Sequence, residues 1–242
     1  MNLIIDIGNT NVKLAIFNQN KLIFKELIVI ENLLKAVDNI YKVFKDVEKA
    51  IISSVGKIEE SDVNYIKKFF RVIVLDSSTK APFQNLYKST ETLGVDRIAL
   101  VSASVKHYSQ QNVLIIDAGT CITYDFINNE NKYLGGAISP GIRIRYQSLN
   151  KLTENLPLLE TKEPQNIIGN STIESIHSGI INGILNEIEG TVSKYDKKYK
   201  DLTVILTGGD ANFLAKQLKS SIFANSNFLL EGLNYILEFN TN

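Results

Sequence analysis

This chain of 242 residues offers little for covalent staples or metal clips: one cysteine, Cys121, two histidines and no tryptophan. A single cysteine excludes any intramolecular disulfide and fits a reducing compartment. His107 and His177 have no cysteine or histidine at ligand spacing, which argues against a zinc site. Charge of one sign is missing as well. Twenty-six basic residues balance 26 acidic ones, and no Lys/Arg tract forms the footprint of a nucleic-acid or anionic-membrane binder. No apolar run approaches the length of a bilayer span. Leu3–Ile5 is too short for the core of a secretory signal and runs straight into Asp6. The expectation is a cytoplasmic protein with neither nucleic acid nor membrane as partner.

What is present is said twice. Leu3-Ile4-Ile5-Asp6-Ile7-Gly8-Asn9-Thr10 returns, 111 residues later, as Leu114-Ile115-Ile116-Asp117-Ala118-Gly119-Thr120. Asn18, Asn20 and Lys21 align at the same offset with Asn129, Asn131 and Lys132. Each copy is a short apolar run that ends in an aspartate and a glycine turn. That pattern is a buried strand delivering a carboxylate to a tight bend, where backbone amides can face an anion. A repeat at this spacing predicts two related lobes, 1–110 and 111–242, each of ordinary domain size.

Strands are expected at Leu3–Asp6, Val12–Phe17, Leu22–Ile28, Ala50–Ser54 and Val72–Leu75, with helices over Leu33–Phe44, Val63–Phe70 and Leu93–His107. The second lobe repeats the three-strand opening through Ile138. It continues with a helix to about Leu152, a loop over 153–170 and a long helix whose apolar face runs from Ile173 to Tyr195. Thr203–Leu206 reads as a strand ending at Gly208-Gly209, and two last helices flank a strand-like Asn227–Leu229. Antiparallel openings followed by helix–strand alternation predict an α/β fold, each lobe a mixed sheet flanked by helices.

Asp6-x-Gly8-Asn9-Thr10, with Lys13 close behind, supplies what a phosphoryl site needs: a carboxylate for Mg²⁺, a glycine for the bend, and amides and hydroxyls for phosphate oxygens. The same turn is also a common hairpin. Its recurrence at Asp117-Ala118-Gly119-Thr120 favours a site, because an acid ending a buried apolar run is costly unless paired or cation-bound. Neither copy is a Walker loop, and no G-x-G-x-x-G is present. Thr207-Gly208-Gly209-Asp210 closes a strand and opens a helix. Its glycines permit close approach of a flat or charged ligand, and Asp210 can equally serve as a helix N-cap. Cys121 has no partnering base and reads as a small strand residue.

Those three elements resemble the superfamily of acetate kinase, the sugar kinases and actin, and within it the type III pantothenate kinases. Tyr87-Lys88-Ser89-Thr90-Glu91-Thr92-Leu93-Gly94-Val95-Asp96-Arg97 resembles that family's G-x-D-R motif with its upstream tyrosine. Gly135-Gly136-Ala137-Ile138-Ser139-Pro140-Gly141 is similar to its G-G-x-I-x-P-G. Gly169-Asn170-Ser171-Thr172, followed by Ile176-His177-Ser178-Gly179, is similar to its G-x-x-T…S-G helix start. The motifs keep the family's order over nearly the whole chain.

The resemblance implies two tandem ribonuclease H-like, actin-like ATPase lobes and ATP-dependent phosphorylation of pantothenate, the first step toward coenzyme A. It makes Asp96 the general base and Arg97 a substrate ligand, with Tyr87, Gly94 and Val95 lining the substrate site. Asp6 would hold the Mg²⁺ of ATP, while Gly8, Asn9, Thr10, Lys13, Gly119, Thr120, Gly208 and Gly209 would contact the nucleotide. Lys13 reads equally as a solvated strand residue. Asp117 would take a monovalent cation, potassium or ammonium. Thr172 would reach substrate across a homodimer interface, where Gly179 and Gly183 allow close helix packing, although the same glycines also suit helix packing within the chain. Thr90 occupies a neighbourhood where the family often carries proline. The family's fold is shared by Bvg accessory factor-like regulators, and the superfamily holds kinases for other small hydroxyl substrates. Both remain alternatives at this point.

Overall fold

Leu3–Ile5 and its echo Leu114–Ile116 each lie in the central strand of a mixed sheet in a computed structural model, which describes residues 1–8, 11–54, 56 and 58–241. The chain divides into two compact units, Met1–Ser109 with Asn227–Asn242, and Gln110–Ser226.

In the first unit, β1 (Asn2–Ile7), β2 (Val12–Asn18) and β3 (Lys21–Ile28) form an antiparallel meander, and β4 (Lys49–Ser54) and β5 (Arg71–Val74) add in parallel, giving the order β3-β2-β1-β4-β5. Parallel strands need a crossover, supplied by α1 (Leu33–Val43) and α2 (Glu60–Ile66). Leu3, Ile5 and Ile7 pack with Leu33, Val37, Ile40, Val63 and Ile66. A two-residue strand, β6 (Gln84–Asn85), precedes α3 (Val95–Tyr108). The opposite face of β1 carries Asn2, Ile4 and Asp6, since side chains alternate along a strand. Asn2 Nδ2 donates to Asn234 Oδ1 at 2.8 Å. Asn234 lies on α7 (Phe228–Phe239), which packs against α3.

The second unit repeats the plan with β7 (Asn112–Ala118), β8 (Cys121–Ile127) and β9 (Lys132–Pro140) antiparallel, and β10 (Leu202–Thr207) and β11 (Phe223–Ala224) joining in parallel beyond β7. Leu114, Ile116 and Ala118 pack beneath α4 (Ile142–Leu152), α5 (Thr172–Lys198) and α6 (Ala211–Ala215).

The repeat is deeper than the sequence echo. Asp6 pairs with Lys13 and Asp117 with Thr123, and a register shift falls between Ile16 and Phe17 in one unit and between Phe126 and Ile127 in the other. The offset therefore runs 111 at Asp6/Asp117, 110 at Lys13/Thr123 and 111 again at Leu22/Tyr133. The first bend is one residue shorter in the second unit and the hairpin one residue longer. Asn18 consequently corresponds to Asn128, not Asn129.

Three expectations change. The second lobe does not run to residue 242: α7 returns to the first unit, because its apolar face is buried there through Leu230, Leu233 and Leu237. Asn227–Leu229 is not a strand, since Asn227 caps α7 and the apolar residues after it follow helical spacing. The Val63–Phe70 helix begins earlier, at an acidic first turn with Glu60 and Asp62, and ends at Ile66.

Candidate active site

In the first unit the site grows from one row of side chains. Lys13, Asp6 and Ser53 stand at paired positions on β2, β1 and β4, so all three project to one face. Asp6 is 5% exposed, and Lys13 Nζ lies 3.2 Å from its Oδ2. Burial pushes the Asp6 carboxyl above its ordinary pKa. Lys13 opposes that shift, the charge of Asp96 adds to it, and Ser53 opposes it weakly. Ser53 Oγ, fully buried, makes no hydrogen bond of standard geometry yet sits close enough to Asp6 to favour the carboxylate.

Asp96 stands in the first turn of α3, whose N-cap is Gly94, near enough for its charge to act on Asp6. Its Oδ1 accepts from the Arg97 amide at 2.8 Å, and negative charge is favoured at a helix N-terminus. A Cβ on Gly94 would stand 2.4 Å from that same oxygen. Val95, half-buried, is the first residue of α3. Arg97 is buried, and its guanidinium lies 5.3 Å from the centre of the Tyr87 ring, within cation–π range. Tyr87 is held in turn by its amide, which donates to Asn85 Oδ1 at 2.9 Å. Gly8 donates from its amide to the carbonyl of Asn11 at 3.0 Å. Asn9 and Thr10 lie outside the described residues.

The second unit builds a parallel row: Thr207, Asp117 and Thr123 at paired positions on β10, β7 and β8. Thr123 Oγ1 is buried without a hydrogen-bond partner, and Thr207 is 2% exposed. Gly208 follows with φ +97°, and a Cβ there would lie 2.3 Å from the Ala118 carbonyl and 2.4 Å from Asp117 Oδ1. Only glycine meets both constraints. Asp210 occupies the N-cap position of α6 without a side-chain cap bond. Its amide instead donates to the Ala118 carbonyl at 2.9 Å, tying Gly208-Gly209 to the end of β7, and burial pushes its carboxyl up. Gly119 donates to the Cys121 carbonyl at 2.9 Å, and Gly141 donates to the Thr120 carbonyl at 3.1 Å. Thr120 itself is exposed.

Thr172 opens α5, exposed, where Ser171 Oγ accepts from the Glu174 amide at 3.3 Å in the S-x-x-E capping pattern. It lines a groove of about 940 Å³ between α4 and α5, together with Arg145, Leu149, Ile176, Gly179 and Ile180. Expected site residues thus assemble as Asp6, Lys13 and Asp96, with Arg97 on Tyr87, in the first unit. Asp117, Gly119, Gly208 and Gly209 gather in the second, with Thr172 on its groove. Ser53, Thr123 and Thr207 were missed as members of these rows. Each is a polar residue near the end of an apolar strand, which is the signal available, but only strand register shows that it faces an aspartate. Among the described residues no group of three His, Cys, Asp or Glu forms a metal cage, and no helix is long and apolar enough to cross a membrane.

Residues 2–194 match the family model described as type III pantothenate kinase. A type III pantothenate kinase from Christiangramia forsetii is 52% identical over 240 residues, 99% of each chain. One from Bacteroides fragilis is 41% identical over 245 residues, 99% of this chain and 98% of the other. Among solved structures, a Campylobacter jejuni protein assigned to the Baf family of transcriptional activators superposes with TM-score 0.62 at 23% identity, covering 98% of both chains. A glucokinase from an Antarctic psychrotroph does so with TM-score 0.54 at 11% identity, also over 98% of both. At these identities the structural likenesses speak for the fold, the actin-like ATPase and sugar kinase architecture of two helix-flanked mixed sheets.

Proposed function

We infer the roles of individual residues from one premise: the chain belongs to the type III pantothenate kinase family, and it transfers a phosphoryl group from ATP to pantothenate, the first step of coenzyme A biosynthesis. The observation that carries the residue assignment is that Asp96 stands near enough to Asp6, within one unit, for its charge to add to the upward shift of the buried Asp6 carboxyl. Two carboxylates sharing a site, one on a strand end and one on a helix N-terminus, suit a phosphoryl-transfer centre in which one serves the nucleotide and the other the acceptor.

Asp96 is the base. Its carboxylate takes the acceptor hydroxyl's proton as the new O–P bond forms and the bond to the bridging oxygen breaks, releasing ADP. Arg97, fixed over Tyr87, binds the substrate's carboxylate, and Gly94 and Val95 shape the approach to Asp96. Asp6 holds the Mg²⁺ that accompanies ATP. The residue fits that task, because burial and a neighbouring acid both oppose its charge and a dication would offset them. When bound, the ion neutralises charge on the phosphates. Lys13, its side chain 40% exposed, can exchange Asp6 for a phosphate oxygen. Gly8, Asn9, Thr10, Gly119, Thr120, Gly208 and Gly209 supply amides and hydroxyls to the nucleotide.

Asp117 holds a potassium or ammonium ion. Support comes from the buried Thr123 Oγ1, which has no partner, and from Thr207 on the other side: neutral oxygens beside a carboxylate suit a hard monovalent cation. The active form is a homodimer in which Thr172 completes the partner's pantothenate site. A Cβ at Gly179 or Gly183 would meet nothing within 4 Å, so packing inside the chain does not account for these glycines. Leu152, Ile167 and Ile168 near the same groove are 82%, 78% and 80% exposed. The setting is cytoplasmic. The likeness to a transcriptional activator extends to fold alone, and an intact set of Asp6, Asp96, Arg97 and Asp117 favours a working kinase.

A coupled ADP-release assay with pantothenate tests the assignment. Asp96→Asn, which keeps shape but cannot take a proton, should lower kcat by about 10²–10⁴-fold. A rate within a factor of two of the parent would remove Asp96 from the role of base.

A further inference from the structure

Arg145, on α4, is the hub of a cluster for which the reading so far has no use. Its Nε donates to the Pro140 carbonyl at 2.9 Å, and its Nη2 donates to Ser139 Oγ at 3.0 Å and to Glu187 Oε2 at 2.6 Å. The second oxygen of Glu187, on α5, accepts from Tyr124 OH at 2.8 Å. Both carboxylate oxygens and three guanidinium bonds are thus committed to one arrangement. The charged partners are only 21% and 30% exposed, so the pair is far less screened than one at the surface. Burial pushes the Glu187 carboxyl up, but hydrogen bonding from Arg145, Tyr124 and Ser139 together with the charge of Arg145 outweighs it and holds the carboxyl below its ordinary pKa.

What this arrangement fixes is the Ser139-Pro140-Gly141 bend, and that bend rests on the second glycine turn. Gly141 donates to the Thr120 carbonyl. Its Cα approaches so closely that a Cβ would stand 2.1 Å from the Gly119 carbonyl oxygen and 2.5 Å from that of Thr120. Backbone meets backbone with no side chain between to absorb a displacement, so a shift of the bend becomes a shift of the turn.

We propose that Glu187, acting through the Arg145 fork, sets the position of the Gly119-Thr120 turn and so the grip of the enzyme on ATP. Both are positioning residues: neither touches the nucleotide. The inference rests on the reading of Gly119-Thr120 as a phosphate cradle and adds to it the support that keeps the cradle in place, in line with the sub-ångström demands of phosphoryl transfer. Arg145 also lines the α4–α5 groove that carries Thr172, so the same side chain touches the groove and braces the turn.

The test compares steady-state kinetics for Arg145→Met, Glu187→Gln, the double variant and Thr120→Ala, with melting curves and the Kd of a non-hydrolysable ATP analogue for each. Loss of the charged fork should raise the KM for ATP and the analogue Kd about tenfold in Arg145→Met and about threefold in Glu187→Gln. In Glu187→Gln, whose side chain does not line the Thr172 groove, the pantothenate KM should stay within twofold. The double variant should be no worse than Arg145→Met, because Glu187 works through Arg145. If Thr120→Ala weakens ATP binding while both relay variants leave it unchanged, the relay is wrong and the cradle stands. If all leave it unchanged, the cradle reading fails and the relay falls with it. Equal rises in both KM values of Glu187→Gln with a lowered melting temperature would mark a merely structural pair and overturn the proposal. Should Arg145→Met fail to fold, Glu187→Gln decides by the same criteria.

Discussion

Asp6 is held at 5% exposure between Lys13 and Ser53, and the balance of forces on it separates stability from function. Burial is the largest influence and raises its pKa above 3.8, with Asp96 adding to the shift. A carboxyl raised in the folded state binds protons more tightly there than in the unfolded chain. Its charge therefore costs stability above the folded pKa, and the cost fades as pH falls toward the unfolded value. Asp6→Asn removes that cost, while Lys13, half in water, loses a pair of small worth. The expected outcome is a protein that melts a few degrees higher at neutral pH and no longer turns over pantothenate. Thermal scans across pH 4–8 check it: the advantage should shrink toward the acid end, and a variant less stable at pH 7 would contradict the burial argument. At this scale the sequence was informative where chemistry leaves a bare signature. An acid ending an apolar run is conspicuous in Asp6 and Asp117, whereas Gly94-Val95-Asp96-Arg97 stands out only through the family resemblance, because by itself it reads as an ordinary helix N-terminus. Arg145, Glu187 and Tyr124 were not legible, because nothing local marks an arginine that will find a glutamate 42 residues away.

The elements that carry the site were legible to the degree that their contacts are local. The β1–β2–β3 meander and its copy announce themselves through short bends between apolar runs, and α5 through its helical period. The sequence reading puts helix α7 in the wrong unit because its destination depends on partners far away in sequence, α3 above all and Asn2 for Asn234. The contact that seats it is tight. A Cβ at Gly232 would lie 1.9 Å from the Ala99 carbonyl oxygen on α3 and 3.2 Å from Ala103 Cβ. Gly232→Ala pits a helix-propensity gain of about 1 kcal/mol against overpacking onto backbone, which costs about 1–3 kcal/mol or more. The clash should win. Since α3 presents Asp96 from its first turn, the variant should melt lower by several degrees and also lose kcat. A variant at least as stable as the parent would show that α7 can slide on α3 and that this packing does not hold Asp96 in place.

Across the whole molecule, duplication has produced two aspartate-bearing strands with one pairing pattern and different charge beside the acid. At equivalent register positions the first unit sets a lysine beside its aspartate and the second sets a threonine: Lys13 by Asp6, Thr123 by Asp117. The other flank is a hydroxyl in each case, Ser53 and Thr207. The first row thus sets a lysine beside its acid, and the second is the one proposed to take a potassium or ammonium ion. That difference converts into an experiment on the copy that lacks the lysine. Thr123→Lys should place an ammonium near Asp117, by analogy with the 3.2 Å pair of Lys13 and Asp6. With potassium replaced by a bulky inert cation at constant ionic strength, the parent should lose most of its activity and the variant should keep a larger share. Stimulation by added potassium should fall from several-fold toward none. A variant as dependent on potassium as the parent, with its melting temperature intact, would mean that the ion acts elsewhere and that the two rows differ for a reason other than the source of their positive charge.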